Sequence, residues 1–157
     1  MNEFGSLHKV NDRYELRFER FFTNSIEDVF RAITNPSDFS QWYPFATGEM
    51  DLRIGGKISF DDGEGTTYEA TITELEEPHL FGFREIDDVI HISLQGDVEG
   101  CRMTFIHTFD DDSWAVNTAA GWHRCLDVLD QIVNGQTIEW PDNAAELREV
   151  YREAFNK

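Results

Sequence analysis

From Tyr14 to Glu19 the chain alternates, with Tyr14, Leu16 and Phe18 set against Glu15, Arg17 and Glu19. A period of two is the pattern of a half-buried strand. The period then lengthens. After Asn24 and Ser25, either of which can cap a helix, Ile26, Val29, Phe30 and Ile33 form a helical stripe. Asn35-Pro36 closes that helix, because the residue before proline avoids the α region. Ser37 to Trp42 predicts a short second helix, with Phe39, Trp42 and Tyr43 as its apolar members.

From Glu49 onward the pattern is one of hairpins. Met50 to Ile54 and Lys57 to Phe60 flank Gly55-Gly56, which predicts two strands joined by a two-residue turn. Tyr68 to Leu75 is expected to be a strand with Tyr68, Ala70 and Ile72 on one face. Glu77-Pro78-His79 turns the chain into Leu80 to Arg84, and two further strands follow, Val89 to Leu94 and Cys101 to Phe109. Asp110-Asp111-Asp112-Ser113 offers N-cap oxygens for a long helix, and negative charge suits that end of a helix dipole. On that helix Trp122, Leu126, Leu129 and Val133 share one stripe, and Gly135 is placed as its C′ residue. A shorter amphipathic helix is predicted after Pro141, from Leu147, Val150, Tyr151 and Ala154.

Strand, two short helices, a meander and then a long helix is an α+β order, with helices gathered on one face of an antiparallel sheet of about six strands. The expected organisation is one domain over residues 10–157, with 136–157 as a C-terminal helical extension. At 157 residues, 40% hydrophobic and 13% aromatic, the chain can bury a substantial core. No apolar run approaches the ~18–20 residues of a membrane span. Membrane insertion is therefore not expected, and no secretory signal is visible, so a cytoplasmic location is expected. Thirteen basic residues against thirty-one acidic ones give a net charge of −18, which makes nucleic acid a poor partner.

Candidate chemistry is sparse. The five histidines and two cysteines stand in no metal-binding spacing, so no metal and no cofactor are expected. Gly55-Gly56-Lys57 lacks the earlier glycine and the following Ser/Thr of a phosphate loop. His123 and Cys125 point about 160° apart on a helix and cannot pair directly. His123 with Asp127 at i+4 reads as a surface pair, the alternative being an oriented group at a cavity rim. His107 shares a strand face with Cys101, Met103, Phe105 and Phe109, so it points inward. It reads as a core histidine with one satisfied hydrogen bond or as a polar anchor or general acid/base on a cavity wall.

Several segments taken in order resemble a known family. Val29-Phe30-Arg31-Ala32-Ile33-Thr34-Asn35-Pro36 with Trp42 is similar to its first helix and the following tryptophan, and Asp51 to Phe60 to its double-glycine hairpin. Ala70 to Leu80 is similar to the strand entering a proline turn. Met103 to Thr108 and Gly121 to Leu126 resemble the last strand and the long helix. Together they resemble the bacterial homologues of the activator of the heat-shock protein 90 ATPase, within the START and Bet-v-1-like (SRPBCC) helix-grip superfamily. The resemblance implies a curved antiparallel sheet wrapped around the long helix, with an apolar cavity between them.

The expected function is then a binding module for an apolar or aromatic small molecule or lipid. Trp42, Phe60, Tyr68, Phe83, Met103, Phe105, His107, Trp122 and Leu126 are the expected ligand-binding residues, with His107 as polar anchor and no residue assigned a catalytic role. Two alternatives stand beside it. One is a cyclase or dehydratase-type enzyme in which His107 works with Tyr68 or a carboxylate. The other is a chaperone-linked interaction domain. A homodimer and a protein partner are both left open.

Overall fold

The alternating segment forms a strand, but it is not the first one. In the computed structural model, which describes residues 4–156, β1 (Ser6–Val10) pairs with β2 (Arg13–Phe22) and places Val10 opposite Arg13. Asn11 makes the turn at φ 57°, a left-handed backbone that asparagine tolerates. β1 is mostly exposed at the sheet edge, so no hydrophobic alternation announces it.

Two capped helices follow as the sequence predicts. In α1 (Ile26–Thr34) the Ser25 hydroxyl accepts from the Asp28 N–H at 3.2 Å. Asn35 then ends α1 and caps α2 (Pro36–Trp42), its side chain accepting from Ser37 and Asp38. Proline at the first helical position loses no hydrogen bond.

The remaining strands are β3 (Ala46–Met50), β4 (Lys57–Asp61), β5 (Thr67–Glu76), β6 (Leu80–Glu85), β7 (Asp88–Asp97) and β8 (Gly100–Phe109). The sheet has eight strands in the order β1-β2-β8-β7-β6-β5-β4-β3, every neighbour antiparallel, rather than about six. The double-glycine hairpin also differs from expectation. Its first strand ends at Met50, and residues 51–56 form a longer loop in which Gly55 and Gly56 exchange backbone bonds with Ile72 of β5. The glycines are needed there because Gly55 takes φ +85°, and a Cβ on Gly56 would stand 1.9 Å from the Asp51 carbonyl oxygen.

A 3-10 turn (Asp112–Trp114) leads into α3 (Ala115–Val133), and α4 (Ala144–Phe155) closes the described chain. The aspartate run caps that turn, through Asp111 to the Ser113 N–H at 2.9 Å, and leaves α3 itself without a side-chain cap. At the other end Gly135 takes φ +67° just past the helix, as its C′ position requires.

Alternation on the central strands carries the core to one face. Across five strands, Leu16, His107, Ile90, Phe83 and Ile72 stand opposite one another in a single buried row. The next row deeper joins Phe18, Phe105, Ile92 and Phe81. α3 packs onto this face beside α1 and α2, and α4 packs on α3. The interior is crowded with rings: Phe39 lies edge-on to Phe60, Phe81 and Phe83 and stacks on Tyr43 at 4.7 Å. Such edge-to-face arrays add to the stabilisation from buried area.

Candidate functional site

The expected site residues divide into two groups. Trp42, Phe60, Phe83, Met103, Phe105 and Leu126 are wholly buried. Trp42 also donates its indole N–H to the Ala32 carbonyl at 3.2 Å, which fixes α2 against α1. Tyr68, His107 and Trp122 instead come together at the open end of the grip. There, with Tyr43, Pro44, Phe45, Glu85, Asp88 and Ile90, they line a half-open hollow of about 190 Å³. It adjoins a shallower vestibule of about 370 Å³ that shares Glu85, Asp88 and His107 and adds Ile86, Phe109, Trp114 and three further aspartates.

Strand parity explains why the chemistry collects here. Phe81, Phe83 and Glu85 share one face of β6, and Asp88, Ile90 and Ile92 share one face of β7. Glu85 and Asp88 stand opposite each other where the hairpin turns, so both follow the apolar rows toward the inner side. The two-residue turn between them puts Ile86 at φ 55° and leaves it 84% exposed. Phe45, on the other side of the hollow, has φ 66° and is also exposed. A β-branched or bulky residue with positive φ is a genuine outlier, and both of these frame the opening.

His107 is held at both nitrogens. Trp122 donates its indole N–H to Nδ1 at 3.0 Å, and Nε2 lies 3.1 Å from the Asp88 carboxylate. An indole N–H can only donate, so Nδ1 carries the lone pair and Nε2 carries the proton that Asp88 accepts. The chain Trp122–His107–Asp88 thus sets one neutral tautomer and links α3 to β8 and β7. The sequence suggested a single satisfied bond; the structure gives two, because Asp88 lies just beyond the strand segment that periodicity marked out.

Three polar groups around the hollow have no hydrogen-bond partner among the described residues. They are the Tyr43 hydroxyl, the Tyr68 hydroxyl and the Glu85 carboxylate, and the Tyr43 side chain is the deepest, with its residue only 6% exposed. Burial, reinforced by Glu85, pushes the Tyr43 phenol well above its usual range. Tyr68 is raised by burial and again by Glu85. The Glu85 carboxyl is raised by burial and by Asp88, with His107 acting in the opposite sense. Each shift reflects charge held in a dry place.

Elsewhere the residues with familiar reactivity are occupied or inert. His123 is buried, contrary to the expected surface pair. Its Nδ1 lies 2.8 Å from the Tyr151 hydroxyl, which also accepts the Gly5 N–H at 2.8 Å, while Asp127 stands 3.8 Å from Nε2. The reason is α4, which lays Tyr151 over that edge of α3. Burial pushes the thiols of Cys101 and Cys125 up to about 11 and about 12, so both are protonated and poorly nucleophilic at neutral pH. Tyr43, Glu85 and Asp88 were missing from the sequence-based set. The parity of β6 and β7 would have pointed to both acids; nothing in the pattern separates Tyr43 from its neighbours Phe39 and Trp42.

An eight-stranded antiparallel sheet gripping the 19-residue α3, with two short helices between its second and third strands, defines a protein of the Bet-v-1-like (SRPBCC) helix-grip type. The chain belongs to the family described as "Activator of Hsp90 ATPase homolog 1-like protein", whose profile matches residues 23–134. Among solved structures, a conserved protein of unknown function from Enterococcus faecalis has a TM-score of 0.82 at 19% identity, over 97% of this chain and 90% of its own. CalU16 from Micromonospora echinospora has a TM-score of 0.76 at 17% identity, over 98% and 96%. An AHSA1-like protein from Aeromonas hydrophila has a TM-score of 0.67 at 21% identity, over 77% and 92%. At these identities the likeness concerns the fold. No curated protein matches the sequence significantly. Among the described residues, no helix is long and apolar enough to cross a membrane.

Proposed function

We propose that this chain is a binding module for a small aromatic molecule, held in the hollow at the open end of the grip. The observation that carries the reading is the hollow itself. It opens beside the ring-filled rows, and it combines aromatic walls from Tyr43 and Trp122 with polar groups that lack partners among the described residues. Apolar walls with a few convergent polar groups are the usual make-up of a ligand pocket. The crowded deeper rows favour a one-ring ligand over the acyl chain of a lipid, because Phe39, Phe60, Phe81 and Phe83 occupy the space such a chain would need.

Amide and side-chain NMR of the labelled protein, titrated with a set of one-ring aromatic compounds, tests this. Shifts confined to Tyr43, Tyr68, His107 and Trp122 are expected. A set that moves none of these signals defeats the proposal.

An acid–base enzyme remains the second reading, favoured by Tyr68 and Glu85 facing the same hollow as the His107–Asp88 pair. In it His107 is a positioning residue rather than the base, since both its nitrogens are engaged. Proton transfer falls instead to Glu85, whose raised pKa suits a general acid or base.

A further inference from the structure

The vestibule and hollow are acidic, in keeping with a chain of net charge −18. Glu85, Asp87, Asp88, Asp110 and Asp111 line them, and no lysine or arginine does. Arg13 stands beside the vestibule and offsets one of these acids through its ion pair with Asp110 at 2.6 Å. An acidic rim alone would be only a solvated surface. At the bottom the Tyr43 hydroxyl, on a residue only 6% exposed, belongs to the hollow that Glu85, Tyr68 and Asp88 also line, and it has no hydrogen-bond partner among the described residues. The hydroxyl is therefore available to bond to whatever enters the hollow.

Resting on the binding reading above, we infer that the ligand is an organic cation, a primary ammonium on a short arm attached to a single aromatic ring. An ammonium has three N–H donors and no acceptor. The hollow presents three groups that can accept and are not yet bonded among the described residues, the Glu85 carboxylate and the hydroxyls of Tyr43 and Tyr68, the hydroxyls being able to donate as well. The rings of Trp122 and Tyr43, with centroids 5.1 Å apart, line the same space and offer π systems to a cation and an apolar wall to a flat body. A hard metal ion would require several converging oxygen ligands. Among the described residues no group of three or more His, Cys, Asp or Glu side chains is placed to hold one. The strained carboxyl of Glu85 fits the same picture, since a cation at this point offsets both its burial and its repulsion from Asp88.

Titration at neutral pH with phenethylamine, phenethyl alcohol and phenylacetate, followed by NMR of the hollow residues, decides the matter. The amine is expected to bind about tenfold or more tightly than the alcohol, with phenylacetate weakest, in line with a charge-assisted hydrogen bond. Glu85→Gln should weaken the amine about tenfold and leave the alcohol unchanged, and Tyr43→Phe should weaken the amine a few-fold. Added salt should weaken the amine alone, which tests the idea in the unmutated protein. An alcohol that binds as tightly as the amine, or an amine indifferent to both Glu85→Gln and salt, overturns the cation inference while leaving the binding module in place. If none of the three compounds shifts the Tyr43, His107 and Trp122 signals, both readings fall together.

Discussion

At the deep end of the grip, β6 and β7 turn Phe81 and Ile92 inward; two rows nearer their shared hairpin, the same strands turn Glu85 and Asp88 to the same side. Backbone geometry treats the two rows alike, because alternation assigns a face without regard to what the side chain is. Their surroundings differ. Phe81 is buried among rings from Phe39 and Phe83, whereas Glu85 borders a hollow and lacks a hydrogen-bond partner among the described residues. The closed row serves stability. The open row holds the unpaired Glu85 beside Asp88 in a half-dry place, an arrangement that opposes stability and is typical of sites that act on something else.

The largest test of this contrast is Phe83→Ala, in the row between the two. Phe83 is fully buried and meets Phe39, Tyr43 and Phe81, so its loss should lower unfolding free energy by about 3–5 kcal/mol in urea denaturation. A much smaller effect would mean that the deep rows are not closely packed. Trp122→Phe should be milder, about 1–3 kcal/mol, because it strands the buried Nδ1 of His107. Nitrogen NMR of His107 should then show the Nδ1 signal lose its hydrogen-bond shift while the Nε2–H form, still held by Asp88, persists.

Glu85→Gln should act in the opposite direction. Its carboxyl is raised in the folded state, first by burial and then by Asp88. The unfolded chain therefore ionises first, and stability falls as pH rises from the ordinary glutamate value, about 4.3, through the raised one. Removing the charge should raise the melting temperature at neutral pH, and the gain should vanish below about pH 4. A loss of stability at neutral pH would show that Glu85 has a stabilising partner. Tyr43→Phe should change least, by no more than about 1 kcal/mol without ligand, since it deletes a hydroxyl that bonds to nothing among the described residues. A larger loss in denaturation would place Tyr43 with the closed row.

Much of the fold could be read from the sequence because its signals are local. Ser25 and Asn35 cap the first two helices, Gly135 ends α3, and alternation along β8 turns His107 inward. β1 escaped notice because an edge strand needs only one buried neighbour, and Leu7 alone supplies it. The site was harder to read, for two different reasons. Glu85 and Asp88 were hidden by their type, since acids at strand ends ordinarily face water. His123 was misjudged because its environment comes from Tyr151, 28 residues away on α4, and helical spacing cannot see across that distance.

The bond from Trp122 to His107 also has a mechanical consequence. A helix gripped only by greasy contacts can slide or roll a little at small cost, but this one is moored at the mouth by a directional bond 3.0 Å long. A shift of one residue along α3 is about 1.5 Å, enough to break it. At the mouth the indole therefore holds α3 in register with β8, and hydrogen exchange at that indole N–H reports each time the mooring lets go. Trp114, exposed on the vestibule only eight positions earlier, supplies the freely exchanging reference.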